Sequence, residues 1–348
     1  MKSVSSSQSI LTTLLRPPLL EASSVGRKAY LRLEEGEEGT VHGVFDSAIN
    51  IFFAGGLICL VPEFVRNGPL NVTLRVPVGS SKLSCLGMRV GDKIIVHDSR
   101  LELGGRPVVS FGSAQVCAPR QKFALPMLAN EEIELNLEVV RKTALRFGNM
   151  AGLGELLNLC GPKVAGTERR AFNIFASAAV GRIIRLEKAF RSENKNALKC
   201  AVSDFIGLGP GLTPSSDDVL SGIVLICLLY SKNRGGARCA SRLLARVIAE
   251  EARGRTTLVG EEFLRQAALG NGNEPVMRQC EALLTGRGEL AELETRRVLA
   301  IGATSGTDMV LGIVLGTMFC LGKQWVWKRR NLRDYKSDCK EIDLQRLH

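Results

Sequence analysis

The sequence has few of the residue types that mark the common classes of site. Phe, Trp and Tyr make up 5% of its 348 residues, and the chain contains only three histidines. None of its ten cysteines forms a C-x-x-C pair. The ligand spacings of zinc sites are therefore absent. Scattered cysteines, in a chain that shows no secretory signal, predict free thiols and a cytoplasmic location.

Long apolar runs and basic stripes are missing too. The longest apolar run, residues 309–322, is shorter than a bilayer requires, so we expect no contact with a membrane. The net charge of +11 is spread out, with eight Lys or Arg against four Asp or Glu in residues 323–348. Without a basic stripe and interleaved aromatic residues, nucleic acid is not an expected partner. A mildly basic protein suits small anions.

The hydrophobic pattern changes once along the chain. Short apolar runs separated by Gly, Pro, Asn and Asp fill residues 28–118, which is typical of strands and turns. From about residue 130 the apolar residues recur at helical spacing. These patterns predict an α+β protein, in which an N-terminal β-rich barrel or sandwich-like domain precedes a larger, mainly α-helical domain. The predicted boundaries are an N-terminal arm (1–27), the β-rich domain (28–125), the helical domain (126–325) and a polar basic tail (326–348).

One stretch, GLGPGLTPSSDDVLSG at residues 207–222, combines glycines, hydroxyl groups and two adjacent carboxylates at the start of an apolar helix. Thr213 and Pro214 resemble a helix cap, and acidic residues in a first turn favour the helix dipole. Capping alone is therefore one interpretation. The stretch, however, carries more polar groups than one cap requires, and glycine amides at a helix N-terminus also bind anions.

The same pattern recurs later in the chain. TPSSDDVL aligns with TSGTDMVL without gaps, so that Thr213 matches Thr304 and Asp217 matches Asp308. Two helices that open with the same turn suggest a paired site. We expect Asp217, Asp218 and Asp308 to act as catalytic carboxylates. We expect an anion to be bound by the amides and hydroxyl groups of the surrounding turns: Gly209, Gly211, Thr213, Ser215, Ser216, Thr304 and Ser305.

The β-rich part contains a second, weaker candidate. Asn50 lies in an apolar run, and Gly55 and Gly56 follow it. These residues are typical of hairpin turns, which is the structural interpretation. The functional interpretation places Asn50 and the two glycine amides at a ligand pocket at the domain junction.

Three segments, GLGPGLTPSSDDVLSG, TSGTDMVLGIVLG and INIFFAGGLICLVP…GPLNV, resemble a bacterial domain-of-unknown-function family. That family includes the AllH-type subunit of oxamate carbamoyltransferase. The likeness covers residues 30–322. Ser216 departs from the pattern, since family members usually carry glycine at this position.

The resemblance implies carbamoyl transfer between oxalurate or oxamate and phosphate or carbamoyl phosphate, in allantoin and purine nitrogen catabolism. It also implies partner subunits similar to AllF and AllG. Glycine amides and helix N-termini suit such small anionic substrates, and a carboxylate can orient their amide groups. Magnesium is a candidate cofactor, held by Asp217 and Asp218.

Two other functions remain open from the sequence. The chain can be a non-catalytic scaffold or small-anion-binding subunit of a complex. It can also be a stand-alone magnesium-dependent enzyme that acts on a small carboxylate or phosphate. No histidine base or cysteine nucleophile stands out, so we expect positioning and electrostatics to carry any catalysis.

Overall fold

The computed structural model describes residues 19–76, 82–118, 126–162, 172–234 and 238–323. The described residues divide into two compact units. The first contains the residues up to 118 together with Asn271–Met277, and the second contains the others. The predicted tail, residues 326–348, lies outside the described residues, as does the N-terminal stretch 1–18.

The first unit is an eight-stranded barrel with one additional strand. Successive side chains of a strand point to opposite faces, and in Lys93–His97 buried and exposed residues alternate, with Ile94 and Val96 buried. The strands are β1 (Leu20–Gly26), β2 (Glu38–Val44), β3 (Ile49–Phe53), β4 (Gly56–Pro62), β5 (Asn71–Leu74), β6 (Lys93–His97), β7 (Arg100–Leu103), β8 (Arg106–Ser110) and β9 (Gln115–Cys117).

Strand β1 closes the barrel. The strands follow the order β5-β4-β3-β2-β6-β7-β8-β1, and β1 pairs antiparallel with β5 and parallel with β8. Strand β9 adds to β1 in parallel, and the short helix α1 (Arg27–Tyr30) follows β1 directly. The expected barrel is confirmed, and residues 20–26, which the sequence assigned to an arm, form one of its strands.

The interior of the barrel is filled with aliphatic side chains. Ile49, Ile51, Leu60, Ile94 and Leu101 are fully buried in this core. Branched side chains pack well on a pleated surface, so a core with few aromatic residues still closes the barrel.

The second unit is helical, as expected. Its helices are α2 (Asn130–Phe147), α3 (Ile174–Ser192), α4 (Lys195–Phe205), α5 (Ser215–Arg234), α6 (Arg238–Glu251), α7 (Leu258–Ala268), α8 (Glu274–Thr285, whose first turn belongs to the barrel unit), α9 (Gly288–Leu299) and α10 (Ser305–Cys320). None of the described helices is long and apolar enough to cross a membrane.

Helices α5 and α10 form the centre of this unit. Almost every residue of α5 from Ser215 to Ser231, and every residue of α10 from Gly306 to Phe319, is buried. The two helices meet at Gly222 and Gly312. A Cβ atom on Gly312 would lie 2.2 Å from the carbonyl oxygen of Val219, so only glycine permits this backbone approach. The contact fixes the N-terminal turns of both helices relative to each other.

Candidate functional site

Three aspartates lie buried in the first turns of α5 and α10. Asp217 and Asp218 are each 2% exposed and Asp308 is fully buried. None of them forms an ion pair with a Lys or Arg of the described part of the chain. Burying carboxyl groups without a cation is costly, so their hydrogen bonds determine what the cluster can do.

Asp217 and its neighbour hold the glycine-rich loop that precedes α5, residues 207–213, named here the 207 loop. The Oδ1 atom of Asp217 accepts a hydrogen bond of 2.8 Å from the backbone N–H of Gly207. The hydroxyl oxygen of Ser216 accepts one of 2.8 Å from the N–H of Leu208. Ser216 is therefore an anchor for the loop backbone.

A second anchor secures the 207 loop and Asp217 from the start of α7. Thr256 donates its hydroxyl proton to the Oδ2 atom of Asp217. Thr257 caps α7 by accepting from the N–H of Gly260 at 2.9 Å, and it donates to the carbonyl of Leu212. Both oxygens of Asp217 are thus occupied by protein donors.

Asp308 and its neighbour hold another glycine-rich loop, GNMAGLG at residues 148–154, named here the 148 loop. The Oδ1 atom of Asp308 accepts a 2.7 Å hydrogen bond from the N–H of Leu153. The hydroxyl oxygen of Thr307 accepts one of 2.9 Å from the N–H of Asn149. This loop is packed against the first turn of α10 in the way that the 207 loop is packed against α5.

The internal repeat therefore extends to the contacts. Ser216 and Asp217 align with Thr307 and Asp308, and in each pair a hydroxyl group and a carboxylate accept backbone N–H groups from a loop. The first turns of α5 and α10 thus each hold one glycine-rich loop, the 207 loop on α5 and the 148 loop on α10.

Asp218 has no counterpart in the repeat, because Met309 occupies the equivalent position. Hydroxyl groups of Ser305 and Thr213 contact its carboxyl group, and these two hydroxyls lie 3.1 Å apart. Its Oδ2 atom is buried and has no hydrogen-bond partner. Asp218 is thus the member of the cluster with the least satisfied carboxyl group.

The electrostatics of the cluster favour protonation. Burial raises the pKa of Asp308 to about 6, against the hydrogen bonds from Ser215 and Leu153. Burial also raises the pKa of Asp217, and that of Asp218 lies well above its usual value, through burial and then the charge of Asp308. Perturbed carboxyl groups of this kind are typical of functional sites, although structural clusters show them too.

The glycines of the 207 loop have backbone angles that favour glycine. Gly207, Gly209 and Gly211 all have positive φ angles, of 78°, 119° and 98°. A Cβ atom on Gly209 would lie 2.8 Å from the backbone nitrogen of Ser215, so this position requires glycine. The turn therefore depends on glycine both for its backbone angles and for its close approach to α5.

The side chains of Thr213 and Thr304 do not cap the helices that follow them. Helix α5 begins at Ser215, and the carbonyl of Pro214 accepts from the N–H of Asp217. Thr213 therefore precedes the cap, and its hydroxyl contacts Ser305. Thr304 is the N-cap of α10, but its side chain makes no capping hydrogen bond.

The candidates in the barrel unit occupy strand and turn positions. Asn50 lies on β3, is buried, and pairs in register with Cys59 of β4. Gly55 lies in the turn between β3 and β4, and Gly56 is the first residue of β4; the side chain of Arg32 lies against both. Their part in binding a ligand stays a prediction.

The described residues contain no group of three or more His, Cys, Asp or Glu arranged to hold a metal ion. Both oxygens of Asp217 accept hydrogen bonds from protein donors, which does not suit a magnesium ligand. We therefore assign no chemical step to a metal ion.

Sequence reasoning did not identify the 148 loop. Asn149 donates its side-chain N–H to the carbonyl of Ala303 at 3.0 Å. Asn173 caps α3 and donates to the carbonyl of Gly152 at 2.8 Å. The signal was a second G-L-G, at residues 152–154, which matches G-L-G at residues 207–209.

Comparison with known families gives two matches. The family model described as oxamate carbamoyltransferase subunit AllH matches residues 205–317, which include the 207 loop and all three aspartates. The model of the AllH family N-terminal domain matches residues 21–116, which correspond to the barrel. No solved structure matches the chain.

Proposed function

We propose that this chain, which belongs to the family of oxamate carbamoyltransferase subunit AllH, acts as a carbamoyltransferase subunit and contributes a ligand site to the complex. The proposed reaction converts oxalurate and phosphate into oxamate and carbamoyl phosphate, or runs in reverse. The bond between the carbamoyl carbon and the oxamate nitrogen breaks, and a bond from that carbon to a phosphate oxygen forms. The phosphate proton moves to the oxamate nitrogen.

One observation supports a ligand site more than any other. Buried carboxyl groups from two equivalent turns meet without a cation, and Asp218 and Asp308 each keep an unpartnered Oδ2 atom. A purely structural cluster would leave those atoms unsatisfied at a cost of about 1–3 kcal/mol each. A bound ligand with hydrogen-bond donors removes that cost.

The surrounding groups suit the rest of such a substrate. The 207 loop and the 148 loop lie beside the N-termini of two helices, where backbone N–H groups and the helix dipole favour carboxylate or phosphate. Gly209, Gly211, Thr213, Ser215, Thr304 and Ser305 remain the proposed anion-binding residues. Holding the two reactants in one geometry supplies much of the catalysis in transfers of this kind.

The reaction itself tests the proposal. The tagged chain, purified from its own cells with partner subunits similar to AllF and AllG, would be given oxalurate and phosphate. We expect ³¹P NMR to show carbamoyl phosphate, and chromatography of the same sample to show an equal amount of oxamate. The partners without this chain should show no such product.

The same assay separates the alternatives. If the complex still forms carbamoyl phosphate at the wild-type rate when the aspartates of this chain are replaced, the chain is a scaffold subunit. Turnover of a small carboxylate or phosphate by the lone chain, dependent on magnesium, would identify the stand-alone enzyme. Allantoin and purine nitrogen catabolism in the cytoplasm is the proposed setting for the carbamoyltransferase.

A further inference from the structure

The unpartnered oxygens of Asp218 and Asp308 define the chemistry of what they can bind. Each Oδ2 atom is buried within a side chain that is at most 2% exposed, and neither has a hydrogen-bond partner. Buried polar atoms are almost always paired in folded proteins. An ionised carboxyl oxygen only accepts hydrogen bonds, so the partner that each atom lacks in the ionised form is a donor. A bound donor would favour that ionised form, which burial disfavours.

The two carboxyl groups belong to one electrostatic environment. The charge of Asp308 contributes to raising the pKa of Asp218, which requires the groups to be near each other. The hydroxyl of Ser305, from the first turn of α10, contacts the carboxyl group of Asp218 on α5. The hydroxyl of Ser215, from α5, in turn contacts the carboxyl group of Asp308 on α10. Each helix thus supports the carboxyl group of the other.

The 148 loop brings Asp308 and Ser215 together. A Cβ atom on Gly152 would lie 2.3 Å from the Oδ2 atom of Asp308 and 2.8 Å from the hydroxyl oxygen of Ser215. The loop backbone is therefore packed against both side chains, and only glycine permits this approach. The unpartnered oxygen of α10 thus lies next to the first turn of α5.

We infer that the Oδ2 atoms of Asp218 and Asp308 together accept the two hydrogens of a terminal NH₂ group on a carbamoyl or carboxamide ligand. This inference rests on the proposed function and identifies the part of the substrate that the acidic cluster recognises. A phosphate or carboxylate group offers no such pair of donors. The recognised group carries two N–H bonds, and the cluster carries two unpartnered acceptors.

Asp217 has a different role in this assignment. Both of its oxygens are occupied, by the N–H of Gly207 and the hydroxyl of Thr256. It is a positioning residue, which holds the 207 loop without contacting the ligand. Asp217, which has a counterpart in the repeat, thus differs in role from Asp218, which has none.

Two pairs of ligands that differ only in NH₂ against CH₃ test the inference. They are oxamate with pyruvate and carbamoyl phosphate with acetyl phosphate, and calorimetry on the full chain measures each affinity. We expect the NH₂ member of at least one pair to bind about 10²-fold to 10⁴-fold more tightly. The pair that shows the preference identifies which NH₂ group is recognised. Equal affinity within both pairs, or no binding of any of the four, would overturn the inference without the need for a variant.

Variants locate the preference. Asp218→Asn and Asp308→Asn place an NH₂ donor opposite the ligand NH₂, so we expect each to reduce the preference to less than about 10-fold. Asp204→Asn, which changes an exposed carboxylate on α4, is the matched control and should keep the preference. Circular dichroism confirms that each variant is folded. A preference unchanged in both Asp218→Asn and Asp308→Asn would contradict the assignment.

The two proposals fail in different ways. A complex that transfers carbamoyl groups while its chain binds NH₂ and CH₃ ligands equally contradicts only the inference. A preference that depends on Asp218 and Asp308, in a complex that transfers no carbamoyl group, contradicts only the proposed function.

Discussion

Replacing Asp308 with asparagine should change how the stability of the chain depends on pH. The folded protein holds the pKa of Asp308 at about 6, against 3.8 for the ordinary group, because the side chain is buried. The folded state therefore binds the Asp308 proton more tightly than the unfolded state does. The stabilisation by this proton is fully present below about pH 4 and is lost as the pH rises through 6.

The size of the effect follows from the shift in pKa. A shift of about two units corresponds to about 3 kcal/mol of stability, of which roughly 1.4 kcal/mol is lost between pH 5 and pH 8. Asp217 and Asp218 act in the same direction, since burial raises the pKa of each. The wild-type chain should thus lose unfolding free energy over this range, and Asp308→Asn should lose about 1.4 kcal/mol less.

Urea unfolding at pH 5 and pH 8, followed by circular dichroism, measures both numbers. The variant Asp204→Asn, which removes an exposed carboxylate, should keep the wild-type dependence to within about 0.5 kcal/mol. If Asp308→Asn shows the same loss as the wild type, the carboxyl group of Asp308 does not titrate as a buried group, and the reasoning about the cluster is wrong.

Three other perturbations test the framework around the cluster. Gly312→Ala should destabilise the chain by about 1–3 kcal/mol in thermal unfolding, because its Cβ would lie 2.2 Å from a backbone carbonyl of α5, whereas the exposed helical Gly181→Ala should stabilise it slightly. Thr307→Val removes the acceptor for the N–H of Asn149, so hydrogen exchange at that amide should become faster, at a cost of about 1–2 kcal/mol. Arg141→Lys breaks a buried two-point contact with a neighbouring glutamate and should lower Tm by several degrees; a Tm equal to that of the wild type would contradict this.

The hydrophobic period was sufficient to predict the two architectures. The barrel strands are short apolar runs separated by turn residues, and in the second unit the apolar residues recur at helical spacing. Strand β1 was not predicted as a strand, because LEASSVG has small and polar residues where a buried strand usually has branched ones. Its place in the barrel comes from pairing with β5 and β8, which are distant in the sequence.

The candidate site was predictable in part. The glycine-rich turn and the T-x-x-x-D repeat identified the three aspartates, and the structure brings all three to the first turns of two packed helices. The repeat gives Asp217 a counterpart and leaves Asp218 without one, but it does not show which carboxyl oxygens the protein itself occupies. The contacts show that Asp217 holds Gly207, while Asp218 keeps an unpartnered oxygen. Such a distinction depends on side-chain partners that no spacing reveals.

The 148 loop shows why the remaining contacts of the site could not be predicted from the sequence. Its residues follow α2 in the sequence and lie about 150 positions from Asp308, yet the N–H of Leu153 bonds to that carboxylate. Only tertiary packing brings the two together. The glycines of the loop are ordinary turn residues until the atom that Gly152 faces is known.

The most direct measurement is the rate of carbamoyl phosphate formation by the complex that contains Asp218→Asn. Oxalurate and phosphate are supplied to complexes with wild-type chain, with the variant, and with Asp204→Asn, each assembled to the same extent. We predict a fall of about 100-fold or more for Asp218→Asn and a wild-type rate for Asp204→Asn. A wild-type rate in the complex with Asp218→Asn would contradict the claim that the acidic cluster of this chain contacts the substrate.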